Sequence, residues 1–139
     1  MTDDAAIAEA LELVRSGHGF EAHELLEDLW RAAATEERDL YQGLVHVAVA
    51  TYQESRGNRV GRYRQLEKAV RRLGPYGPAH AGLDVAAVLA WCRASLAADR
   101  CPPLPGPWPS RDADGRPRPP GGSGAGEDAE TSPTEGTAR

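Results

Sequence analysis

Gly43-Leu44-Val45-His46-Val47-Ala48-Val49-Ala50 contains a single polar side chain, His46. At about 100° per residue such a stretch winds more than two helical turns, so its apolar groups face every direction. A helix of this kind is stable in water only when other elements surround it. It sits within a longer helical span over 36–56, with Thr35 placed to cap the start and Gly57-Asn58 to break the end. The feature therefore predicts a bundle packed around one buried central helix.

Four further helices are legible from apolar spacing and end signals. The first is expected over 4–16, with Thr2 and Asp3 as cap candidates, Ile7, Leu11 and Val14 as its stripe, and Gly17 as its stop. The second is expected over 20–34. The fourth begins after the cap candidate Asn58 and ends at Leu73, with Leu66, Ala69, Val70 and Leu73 on one face. Gly74-Pro75-Tyr76-Gly77-Pro78 cannot remain helical. Asp84 caps the last helix, over 85–98, whose Val85, Val88, Leu89 and Cys92 face inward. β-branched residues are few and no internal repeat is visible. The expected fold class is all-α: a compact up-and-down bundle of about five helices, joined by short connections that make neighbours antiparallel.

Length and proline distribution set the domain limits. The chain has 139 residues, and nine of its eleven prolines follow Cys101. A helical domain over 1–100 is expected, followed by a Pro/Gly-rich tail over 101–139 that is mostly disordered, because it holds too little apolar area to offset chain entropy. Leu104 and Trp108 give the 102–109 stretch a means of docking back. No window approaches the 18–20 apolar residues of a membrane helix. The acidic Met1-Thr2-Asp3-Asp4 start does not look like a targeting peptide. Cys92 and Cys101 make neither a disulfide framework nor a cysteine zinc site, which fits a reducing compartment. The expected location is the cytoplasm.

Several polar residues interrupt the apolar pattern. On a helical projection of the second helix, Phe20, Leu26, Glu27, Trp30 and Ala34 lie within about 60° of His23. His23 and Glu27, four residues apart, thus fall in the middle of an apolar face, with Glu24 at its edge. On the central helix Gln42, His46 and Gln53 share one side. If that side meets the second helix, His23, Glu27, Gln42 and His46 form one internal cluster. Burying such groups costs several kcal/mol unless they are paired.

The run Phe20-Glu21-Ala22-His23-Glu24-Leu25-Leu26-Glu27-Asp28-Leu29-Trp30 resembles the signature of the domain-of-unknown-function family numbered 309. Tyr41-Gln42-Gly43-Leu44-Val45-His46-Val47-Ala48, Gly57-Asn58-x-x-Gly61 and Pro78 with Gly82-Leu83-Asp84-Val85 follow in the family's order. The resemblance spans about residues 10–98 and implies a compact helical bundle. The family usually has Gln where this chain has His46 and Ala where it has Arg62. No activity comes with the resemblance.

Four functional readings follow. In the first, His23, Glu27, Gln42 and Trp30 are a satisfied structural network of a non-enzymatic scaffold or interaction module. In the second, His23, Glu27 and His46 bind a divalent metal, a donor set suited to zinc or iron(II). The spacing matches neither His-Glu-x-x-His nor Glu-x-x-His. In the third, Glu27 orients His23 as a general base. In the fourth, the seven basic residues between Arg56 and Arg72 bind an anion or a partner, with Asn58, Arg59 and Arg62 around a helix N-terminus as the anion site. The plain alternative is a solvated basic face that complements the acidic first two helices. Tyr63 is the only aromatic residue interleaved with these basic residues, and with a net charge of −5 this argues against nucleic acid. The reading adopted is the non-enzymatic module, with apolar groups left over for pairing of copies. The alternative is a metal-binding or metal-dependent hydrolytic protein.

Overall fold

The computed structural model describes residues 3–106, which form an all-α up-and-down bundle. Most of the 101–139 tail expected to be disordered, the docking expected of Trp108, and the Thr2 cap lie outside the described residues. Five α-helices run in order: α1 (Asp3–Arg15), α2 (Gly19–Ala32), α3 (Arg38–Ser55), α4 (Arg59–Leu73) and α5 (Val85–Ala98). No strand is present among the described residues, and no helix is long and apolar enough to cross a membrane.

The end signals act where their chemistry places them. Gly17 leaves α1 at φ +88°, a conformation that costs other residues more than glycine. Asn58 Oδ1 accepts from the Gly61 amide at 2.9 Å, and Asp84 Oδ1 from the Ala87 amide at 3.0 Å, capping α4 and α5. The start of α3 differs from expectation. Thr35–Glu37 form a separate 3₁₀ turn, and Glu37 precedes α3 without a side-chain cap.

The α3 helix is the centre of the bundle, packed mainly between α2 and α4, with α1 against α2 and α5 against α4. Every residue from Gly43 to Ala48 is buried, as an all-round apolar helix requires. Leu11, Leu26, Leu40, Leu44, Leu66 and Leu73 are fully buried around it. Each contributes about 1.5–3 kcal/mol relative to exposure. Gly43 sets the closeness of α3 to α4: a Cβ there would stand 2.7 Å from Leu73 Cγ.

Residues 101–106 lie back on the bundle. Trp91 Nε1 donates to the Pro102 carbonyl at 2.9 Å, and Leu104 is 4% exposed. Gly106 reaches the Arg15 side chain on α1. This strap thus runs from α5 to α1, the two outer helices.

Candidate functional site

The expected internal cluster divides in two. On α2, His23 Nε2 stands 3.3 Å from Glu27 Oε2, and Arg31 donates to Glu27 Oε1 at 3.2 Å. The His23 and Glu27 side chains are 34% and 43% exposed, so the row is at the surface rather than in the core. Glu24 is exposed. The face that enters the core is the Ala22–Leu26 face, rotated by roughly 80° from the His23-centred one. The projection counted Phe20 and Trp30 as core residues. Instead Phe20 is 64% exposed, and Trp30 is half-buried at the rim with the Arg38 guanidinium 4.9 Å over its ring.

His46 belongs to the other half. It is buried, and its Nδ1 lies 2.7 Å from Gln65 Oε1 on α4. Since Oε1 only accepts, Nδ1 carries the proton. Burial pushes the imidazole below its ordinary value. The Gln65 bond opposes this, and the nearby Arg72, Lys68 and Arg71 add to it. Nε2 is left as a buried lone pair without a donor. Gln42 is half-buried. With His46 turned to Gln65, the structure does not bring His23, Glu27 and His46 together as ligands. No group of three or more His, Cys, Asp or Glu among the described residues could hold a metal ion.

The His23 row opens instead onto a cleft between the start of α2 and the end of α3. Gly19, Phe20, His23, Ala48, Val49, Tyr52 and Gln53 enclose about 290 Å³. The helices meet closely here because residue 19 is glycine: a Cβ would lie 3.3 Å from the Ala48 carbonyl oxygen. Tyr52 is 47% exposed beside Phe20, so two large aromatic side chains flank one small apolar hollow. The sequence offered no means of assigning Tyr52 or Val49 to this site. Both read as ordinary members of the central helix.

The anion site expected at Asn58, Arg59 and Arg62 is taken up by the chain's own carboxylates. Asn58 Oδ1 caps Gly61, and its Nδ2 donates to Gln53 Oε1 at 2.9 Å. Arg59 pairs with Asp99 at 2.5 Å. Arg62 is buried and pairs with Glu54 at 2.6 Å and Asp99 at 2.5 Å. The bond from Arg59, with the charges of both arginines, holds the Asp99 carboxyl below its usual range. An external anion would meet two carboxylates here.

The far end of the bundle carries a second histidine–carboxylate contact. His80 Nε2 lies 2.7 Å from Glu37 Oε1, the Tyr76 ring meets the His80 ring edge-on at 5.0 Å, and Tyr76 donates to the Glu36 carbonyl at 2.6 Å. These contacts fasten the 74–83 loop over the 3₁₀ turn.

The family described as domain of unknown function (DUF309) matches residues 7–64, from α1 through the first part of α4. The resemblance read from the Phe20–Trp30 signature is thereby shown for that part of the chain. None of the curated proteins and none of the solved structures compared matches it.

Proposed function

We propose that this chain is a non-enzymatic interaction module, and that two copies pair through the α2–α3 cleft. The observation that carries the reading is Phe20, 64% exposed beside a hollow lined by Ala48, Val49 and Tyr52. A projecting ring next to a hollow on the same face suits a two-fold interface, in which each copy is both donor and acceptor. Burying each Phe20 would contribute about 1.5–3 kcal/mol, and aromatic side chains are the residues most often enriched in such contacts. Sedimentation of the full chain across a range of concentrations tests this. A reversible dimer that Phe20→Ser converts to monomer, with an unchanged thermal midpoint at concentrations where both chains are monomeric, supports it. A wild-type chain that stays monomeric at high concentration refutes it.

A second reading rests on the 3.3 Å contact between Glu27 and His23, the latter a lining residue of the same cleft. Glu27 would orient the imidazole as a general base. No serine, threonine or cysteine is among the residues that line the cleft, so the attacking group would be water or part of a substrate. A His23→Gln chain that retains any hydrolytic activity found for the wild type would end this reading.

A further inference from the structure

The chain has a net charge of −5, yet α4 turns a basic line to solvent. Val60, Arg64, Lys68 and Arg71 follow at spacings of three and four, and all are exposed. Arg64, Lys68 and Arg71 enter no salt bridge among the described residues. The acidic α1 and α2 do not cover this line, since α4 packs chiefly on α3 and α5.

Beside the line, α4 and α5 leave a groove of about 560 Å³. Its apolar floor is Val60, Tyr63 and Leu96, with Val60 60% and Tyr63 46% exposed. Two acids border it. Asp99 is already paired with Arg59 and Arg62, which leaves Glu67 facing Arg64 at the groove wall, with the exposed Lys68 and Arg71 further along the same helix.

We propose that this groove binds an acidic amphipathic helix of a protein partner. Its apolar residues would rest on Val60, Tyr63 and Leu96, and its carboxylates would meet Arg64, Lys68 and Arg71. A hollow between two helices accepts a third by ordinary ridge-and-groove packing. From residue 60 to residue 71 the face is about 16 Å long, three turns of helix. Charge complementarity selects an acidic partner and speeds its encounter. A nucleic acid fits less well: Tyr63 is a lone stacking platform, and the whole-chain charge repels phosphate.

The probe is a synthetic acidic peptide of about four turns, with Leu at helical positions i, i+3, i+4 and i+7 and Glu on the other face. It is titrated against the isotope-labelled full chain by NMR. Beside it stand an all-Glu peptide of equal length, the same Leu peptide with Lys for Glu, and a single-stranded DNA oligomer. The expected result is binding of the acidic amphipathic peptide alone, with shifts confined to α4 and α5. Tyr63→Ala and the pair Arg64→Glu/Lys68→Glu should each weaken it about tenfold or more. These are surface positions, and an unchanged amide spectrum confirms that the variants fold. Equal binding of the all-Glu peptide would reduce the groove to a charge patch and overturn the proposal. Preferential DNA binding at the same residues, binding of the Lys peptide, or no binding at all would overturn it as well.

Discussion

Arg62 Nη2 donates to Asp99 Oδ1 at 2.5 Å, across 37 positions of sequence. The contact ties α4 to the residue that ends α5 in the left-handed region, at φ +57°. Helices often end on glycine in this conformation, and Asp tolerates it at some cost. Here the carboxylate offsets that cost by meeting two guanidinium groups, while the other arm of Arg62 holds Glu54 on α3. One buried side chain thus joins three helices.

Removing Arg62 should therefore cost less than removing its partners. Arg62→Ala deletes the buried charge along with its bonds, and Glu54 and Asp99 are exposed enough for water to reach. A loss of about 1–3 kcal/mol is expected from broken hydrogen bonds and lost packing of the stem. The double change Glu54→Gln/Asp99→Asn leaves a guanidinium buried without a counter-charge and should be the more damaging. Urea unfolding of the two variants gives the order directly.

Gly43→Ala should destabilise the bundle by about 1–3 kcal/mol, because its new Cβ meets a fully buried Leu73 that has nowhere to turn. Leu73→Ala alone should cost about 2–5 kcal/mol through the cavity it leaves. In the double variant the added methyl enters that cavity, so the combined loss should fall short of the sum. A double-mutant cycle measured by denaturant melts checks the coupling.

The sequence made the bundle legible because its strongest signals are local. The apolar run 43–50 forces a central helix, and Gly17, Asn58 and Asp84 mark ends through interactions within a few residues. The site was less legible because its decisive contacts are distant. Nothing near Asp99 announces Arg62, and nothing near His46 announces Gln65. The α2 projection located an apolar arc but not which part of it meets α3. Small Ala22 turned inward with Leu26, and the large Phe20 was left outside. Helical periodicity ranks faces by hydrophobicity, whereas packing also selects for shape.

His46 should make the fold sensitive to mild acid. Burial and the surrounding cations lower its folded-state value below the ordinary 6.5, so the unfolded chain binds the proton more tightly. Stability therefore rises with pH through the window that extends down from about 6.5 to the lowered folded-state value. Below that window both states are protonated and the effect is complete. His46→Gln should flatten this part of the stability–pH curve while retaining a side chain that reaches Gln65. Thermal midpoints of both chains between pH 5 and pH 8 test it.

Neither cysteine is prepared for nucleophilic chemistry. Burial is the main cause that pushes the Cys92 thiol up to about 12 and the Cys101 thiol up to about 11. The thiolate is the reactive form, so alkylation of the native chain near pH 8 should run about 100-fold or more slower than for a free cysteine. Cys101, half-buried in the strap, should react first. Cys92 lies sealed within α5 and should be labelled only when that helix opens. Its labelling rate should therefore climb with added urea in step with global unfolding. Fast labelling of Cys92 without denaturant would mean that α5 leaves the bundle independently. In that case the α4–α5 groove would be a hinge rather than a fixed surface.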